Sequence, residues 1–133
     1  MEMLGKAIDE LRLVFSEEEL RGLVNEVVKK LTDKLRLVFI DLGLEDKFDE
    51  FLRGEFRELP ENWHEIVVEL VLSSMQILAL ELVRGILFWE MNEKAVEKIA
   101  GVLYLLNSIW LELVKKDVDV LEVIKWLSGV AKE

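Results

Sequence analysis

The chain has 133 residues, of which 52% are hydrophobic and 33% are charged, and its formal net charge is −10. This composition predicts one globular domain over residues 1–133 with its own core, and it excludes an intrinsically disordered chain. The acidic balance disfavours nonspecific binding to nucleic acid or anionic lipid. Because cysteine is absent, a disulfide framework and thiol chemistry are excluded.

Two amphipathic helices are predicted at the start of the chain. The first spans residues 2–15, where large apolar residues recur at helical spacing. Ser16 and Glu19 then form the pattern of a capping box, which starts a second helix. Its apolar stripe runs from Leu20 to Leu31. The N-terminus enters this charged amphipathic pattern directly, so we expect no secretory leader.

Two shorter helices are predicted next. Asp33 is expected to cap a third segment, which ends at Gly43 because glycine readily adopts a left-handed conformation there. A fourth helix begins at Glu45 or Asp46. Its apolar positions are Phe48, Phe51, Leu52 and Phe56.

The second half of the chain predicts two long helices and a short one. Residues 62–90 are apolar on nearly all sides, so this helix should be the most buried. Residues 92–116 form a helix capped by its first residue and packed antiparallel beside it. The last helix begins at Asp117 or Asp119 and closes at Gly129. Within residues 62–90, one side carries the polar residues Glu65, Glu69, Ser73 and Gln76.

No segment reaches the ~18 uncharged apolar residues of a membrane span. The longest uncharged runs cover residues 70–80 and 101–111. We therefore expect no integral membrane segment, and a cytoplasmic protein that reaches organelle surfaces only through partners. Alternating strand patterns are lacking, and the fold class predicted is all-α.

Two motifs carry a family resemblance. Asn62-Trp63 opens the long apolar helix, and Leu20-Arg21-Gly22-Leu23-Val24-Asn25-Glu26-Val27 lies about forty residues upstream. In this order they resemble two signature regions of the Bcl-2 family of apoptosis regulators. That family carries Asn-Trp-Gly-Arg at the start of its central helix and Leu-x-x-x-Gly-Asp on an earlier amphipathic helix.

The resemblance implies a helical bundle with two central apolar antiparallel helices, wrapped by shorter amphipathic helices. It also implies a noncatalytic activity, in which a hydrophobic groove binds an amphipathic helix of a partner protein. The very short link at Phe15-Ser16 is closer to compact viral relatives, and a designed sequence on this fold is also plausible. Pro- or anti-apoptotic direction and a homodimer are left open.

The groove implied by the resemblance has two walls and a floor. One wall comprises Val27, Leu31, Leu35 and Val38. The other comprises Leu52 and Phe56. The floor comprises Asn62, Glu65, Val68 and Leu72.

Position 65 departs from the family pattern. Relatives place an arginine there, which pairs with an aspartate of the ligand helix, whereas this chain has Glu65. Two like charges at contact distance repel by ~1 kcal/mol in water. We therefore expect Glu65→Arg to improve the binding of aspartate-bearing helices by about 1 to 3 kcal/mol. In the alternative interpretation, Asn62 only caps the helix and Trp63 packs in the core.

No chemistry of catalysis or of a cofactor is indicated. Glu61-x-x-His64 has the spacing of half a di-iron site, but His64 is the only histidine of the chain. A surface or helix-start histidine is the favoured interpretation, and no iron or zinc binding is expected. A structural or designed bundle without a groove remains the alternative function. An exposed apolar patch would distinguish the groove-bearing protein from such a bundle.

Overall fold

The computed structural model describes residues 1–89, 93–115 and 118–132, with side chains described for all of these except 78, 79, 81–89 and 95. No strand occurs within these ranges, so the all-α prediction is confirmed. A short 3-10 turn precedes the third of the helices. The helices are α1 (Glu2–Leu11), α2 (Glu17–Asp41), α3 (Phe48–Leu52), α4 (Trp63–Trp89), α5 (Glu93–Val114) and α6 (Val120–Lys132).

The capping box at the start of α2 is confirmed. Ser16 Oγ accepts a hydrogen bond from the Glu19 N–H at 3.1 Å, and the Ser16 N–H donates to Glu19 Oε1 at 3.2 Å. Ser16 has extended backbone angles, so the chain must leave the preceding helix before this residue. Accordingly, α1 ends at Leu11 and not near Phe15 as expected.

The predicted break at Asp33 is wrong, because α2 is one continuous helix of 25 residues. Asp33 is exposed, and a solvated aspartate costs a helix interior little. The predicted end at Gly43 is confirmed, since this glycine has a positive φ of 72°. The Leu44 N–H then donates to the Phe39 carbonyl at 2.8 Å, which closes the helix.

The fourth predicted helix is shorter than expected. It begins with a 3-10 turn, Glu45–Lys47, and continues as α3 only to Leu52. Gly54 ends it with a φ of 77°, and the Glu55 N–H donates to the Glu50 carbonyl at 2.9 Å. Phe56 therefore lies in the loop beyond the helix and not on its apolar face.

The last helix, α6, starts directly after Asp119, which is one of the two predicted starts. Asp119 Oδ1 accepts from the Glu122 N–H at 2.9 Å, as an N-cap does. The predicted close at Gly129 is wrong, because α6 continues through this glycine to Lys132. The expected cap at Asn92 and the alternative start at Asp117 lie outside the described residues.

The long helices α4 and α5 pack against each other, with the start of α4 beside the end of α5. His64, in the first turn of α4, donates its Nε2–H to the Leu113 carbonyl at 2.5 Å, near the end of α5. Carbonyls in the last turn of a helix lack a partner within that helix, so the bond satisfies an otherwise free acceptor. Elsewhere, α1 packs mainly against α5, and α2 packs mainly against α6.

The expectation that the long apolar helix is the most buried stays a prediction, because the side chains of residues 78, 79 and 81–89 lie outside the described ones. Among the described side chains of α4, those of Val67 and Val71 are buried. Leu72, Ile77 and Leu80 are 38%, 54% and 67% exposed. In the described part of the chain, α4 packs mainly on α5, and α1, α2, α5 and α6 supply most of the core.

A close approach between α1 and α5 occurs at Gly101. A Cβ atom added there would lie 2.6 Å from Leu11 Cδ2, whereas at Gly22 on α2 nothing lies within 4 Å. We expect Gly101→Leu to lower the free energy of unfolding by about 1 to 2 kcal/mol, because overpacking strain exceeds the gain in helix propensity. Gly22→Leu is the control and should leave stability unchanged or raise it. Urea denaturation measures both, and equal effects would contradict the close approach.

An ion pair links the start of α2 to α5. Lys98 Nζ donates to Glu19 Oε2 at 2.6 Å, and Lys98 also lies 5.5 Å from the ring centroid of Phe15. The hydrogen bond from Lys98, followed by that from the Ser16 N–H, lowers the pKa of Glu19 from 4.5 to about 2. The folded protein thus stabilises the ionised form of the Glu19 carboxylate relative to the unfolded chain.

This pKa shift predicts a pH dependence of stability. Because the pKa is lowered on folding, Glu19 contributes stability above pH 4.5 and loses that contribution as the pH falls toward 2. Glu19→Gln should therefore lose less stability than the unmodified chain across this interval. Urea denaturation at several pH values gives the free energy of unfolding of both proteins, and the slope of this free energy against pH is compared between them. Parallel slopes would show that the ion pair does not form in solution.

Candidate functional site

An aromatic cluster fixes the start of α4 against α2 and α3. The ring centroid of Phe39 lies 5.2 Å from that of Phe48, 4.8 Å from that of Phe51 and 5.4 Å from that of Trp63. The contacts of Phe39 with Phe48 and Trp63 are edge-to-face, an arrangement that is favourable beyond the area that it buries. Trp63 of the Asn62-Trp63 motif is therefore a packing residue, which positions the helix that follows.

The expected α2 wall of the groove is closed. Val27, Leu31 and Leu35 are buried members of the core. The physical reason is that α2 packs along α6, which leaves no open channel beside these side chains. These three side chains therefore lie in the core and not in an open wall of a groove. Their contact with a partner helix stays a prediction that would require local opening.

The remaining wall residues keep part of their surface accessible. Val38 on α2, Leu52 on α3 and Phe56 in the loop after α3 are each half-buried. Leu52 and Phe56 pack against the core with their inner sides. They are available to a partner only at their outer edges.

The expected floor is partly assembled on α4. Glu65 and Leu72 are exposed, and Val68 is half-buried. They are three and four residues apart, so they share one side of the helix. Asn62 is exposed just before α4, and its carbonyl accepts from the Ile66 N–H at 3.1 Å.

The structure adds a surface that the sequence interpretation missed. Four exposed residues beyond Leu72 extend the floor toward the C-terminal end of α4, and together with Leu72 we call these five residues the α4 face. At about 100° per residue they cover an arc of about 140°, opposite the buried Val67 and Val71. None of the five is charged. The α4 face comprises Leu72, Ser73, Gln76, Ile77 and Leu80.

The polar stripe at Glu65, Glu69, Ser73 and Gln76 was the signal that marked this side of α4 in the sequence. The apolar residues Leu72, Ile77 and Leu80 lie among or beyond these polar positions, so the sequence pattern did not identify this whole side as exposed to solvent. A helix with such mixed composition gives no clear hydrophobic direction. The exposed face therefore became visible only once its packing partner was known.

Surface depressions do not mark the expected groove. One of about 380 Å³ lies between α1 and α6, and another of about 630 Å³ is lined by Leu13, Val14, Glu93, Lys94 and Glu97. No residue of the expected groove lines either of them. These two depressions therefore lie away from the expected groove.

Over the described part of the chain, no three or more histidine, cysteine or acidic side chains converge where a metal ion would bind. His64 is engaged instead by the Leu113 carbonyl. Within those same residues, no helix is both long and apolar enough to cross a membrane. The chemistry that the surface offers is apolar contact bordered by carboxylates.

Comparison of the chain with protein-family models, with curated proteins and with solved structures gave no match.

Proposed function

We propose that this chain is a noncatalytic binding protein that receives an amphipathic partner helix on the α4 face, in the manner of the Bcl-2 apoptosis regulators that it resembles. The observation that carries the proposal is the exposure of Leu72, Ile77 and Leu80 on one uncharged surface. Contiguous exposed apolar surface is uncommon on proteins that bind nothing. Action in the cytoplasm, and at organelle surfaces through partners, is part of this proposal.

The spacing of the exposed side chains suits a helical partner. Leu72, Gln76 and Leu80 are separated by four residues each, and Ile77 lies beside them. Two packed helices make contact through such rows, with interaxial distances of about 8 to 10 Å. A partner helix with apolar residues at similar spacing would cover the row, with Val68 at its N-terminal end.

The test compares matched variants. Ile77→Gln/Leu80→Gln removes exposed apolar surface from the α4 face, and Leu37→Gln/Ile40→Gln removes the same residue types from an exposed side of α2. Both pairs keep the net charge and use a good helix former. Fluorescence polarisation with a panel of labelled amphipathic helices should show weaker binding only by the α4 variant. Binding by neither protein nor variant would favour a structural bundle without a ligand.

Charge at position 65 gives a second prediction. Glu65 is exposed and borders Leu72, so a ligand aspartate placed there meets a carboxylate that has no proton to donate at neutral pH. Glu65→Arg should tighten the binding of an aspartate-bearing helix about tenfold, because it replaces the repulsion between two carboxylates with the attraction of a solvated ion pair. Titration of one labelled helix against both proteins at matched salt measures this. Equal affinities would place Glu65 outside the binding surface.

A further inference from the structure

The α4 face continues into two acidic residues. Glu65 and Glu69 are exposed, one helical turn apart. With Leu72, Gln76 and Leu80 they form a single row, which spans about 80° around the helix axis. We call Glu65 and Glu69 the acidic pair. The row is thus anionic at its N-terminal end and apolar toward Leu80.

The acidic pair is not neutralised by the described part of the chain. No hydrogen bond or ion pair reaches either carboxylate there, and residues 63–80 contain no lysine or arginine. Like charges four residues apart destabilise a helix by a few tenths of a kcal/mol. An external cation would relieve this repulsion.

The exposed side of α2 differs from that of α4 in its pattern of charges. Glu26 and Lys30 are four residues apart, and so are Lys29 and Asp33. Opposite charges at this spacing balance each other along the helix surface. Oppositely charged residues at this spacing are therefore present on α2, whereas residues 63–80 of α4 contain no such pair.

We propose that the helix that occupies the α4 face is cationic, with lysine or arginine against the acidic pair and apolar residues against Ile77 and Leu80. This inference rests on the proposed function and specifies its partner. The net charge of −10 acts in the same direction, because it steers cationic partners toward the protein and repels anionic ones. Glu65 and Glu69 then set the orientation of the bound helix.

The first experiment compares three synthetic helices that share one apolar face and carry lysine, glutamine or glutamate at their polar positions. Fluorescence polarisation should rank the lysine helix tightest and the glutamate helix weakest. The preference for lysine should shrink as salt rises, because contacts between exposed charges are screened.

The second experiment removes the charges. Glu65→Gln/Glu69→Gln should weaken binding of the lysine helix about tenfold and leave the glutamine helix unchanged. The control is Glu10→Gln/Glu26→Gln, which makes the same change in net charge on α1 and α2. It should affect the lysine helix only slightly, so it separates a local contact from general attraction.

The outcomes separate the two proposals. Equal affinity for the lysine and glutamine helices, with binding still lost in Ile77→Gln/Leu80→Gln, would overturn the cationic partner and keep the helix-binding function. No binding of any helix would overturn both. A second copy of this chain is the other occupant of the α4 face to be tested, and sedimentation velocity detects it. A dimer of the unmodified chain that Ile77→Gln/Leu80→Gln dissociates would assign the α4 face to a second copy, and would also overturn the inference.

Discussion

Phe39→Ala should lower the free energy of unfolding by about 3 to 5 kcal/mol, as expected for a large side chain removed from a core that cannot collapse around the cavity. Phe39 is fully buried, and its ring contacts those of Phe48, Phe51 and Trp63. The substitution therefore removes the shared partner of three rings that join α2, α3 and the start of α4. Urea denaturation followed by circular dichroism measures the loss.

Leu37→Ala is the control for this prediction. Leu37 lies two residues away on α2 and is 53% exposed, so its truncation should change stability by no more than about 0.5 kcal/mol. Losses of similar size in the two variants would show that Phe39 does not hold the cluster together. Because the cluster positions Trp63, we also expect Phe39→Ala to weaken helix binding at the α4 face.

Replacement of Glu112 with alanine should cost about 1.5 to 3 kcal/mol of stability, the range for hydrogen bonds to charged groups. Glu112 is only 4% exposed. Its Oε1 accepts from the Met3 N–H at 3.1 Å, and its Oε2 lies 3.4 Å from the Met1 ammonium group. The first N–H groups of a helix lack partners within it, and they favour a negative charge. Glu112 thus attaches the start of α1 to α5.

Two variants make this prediction specific. Glu112→Gln keeps an acceptor for the Met3 N–H and should lose less stability than Glu112→Ala. Glu2→Ala removes an exposed pair with Lys6 at 3.8 Å and should have an effect below about 1 kcal/mol. If Glu112→Ala unfolded at the same urea concentration as the unmodified chain, the contact would contribute nothing to stability.

Several helix ends were predictable because they depend on residues close together in the chain. The capping box of Ser16 and Glu19, the left-handed Gly43 and the cap at Asp119 each involve hydrogen bonds over three to five residues. Local hydrogen bonds and backbone preferences determine such features before any tertiary contact forms. Where packing prolongs a helix, as at Asp33 and Gly129, the same local signals misled.

The candidate site was predictable only in part. Glu65, Val68 and Leu72 share a side of α4 because helix periodicity alone brings them together. The polar stripe from Glu65 to Gln76 marked one side of α4, but the exposure of Leu72, Ile77 and Leu80 on that side was not predictable, because residues 62–90 are apolar on nearly all sides.

The amino-acid sequence by itself determined that this protein is helical, where several of its helices begin and end, and which residues share a helix face. The tertiary structure alone decided that α2 packs against α6, that Val27, Leu31 and Leu35 are buried, and that the described part of α4 leaves Leu72, Ile77 and Leu80 exposed. The physical reason is that periodicity arises within a single helix, whereas burial depends on contacts between residues far apart in the chain, and several pairings of these apolar faces satisfy the same pattern.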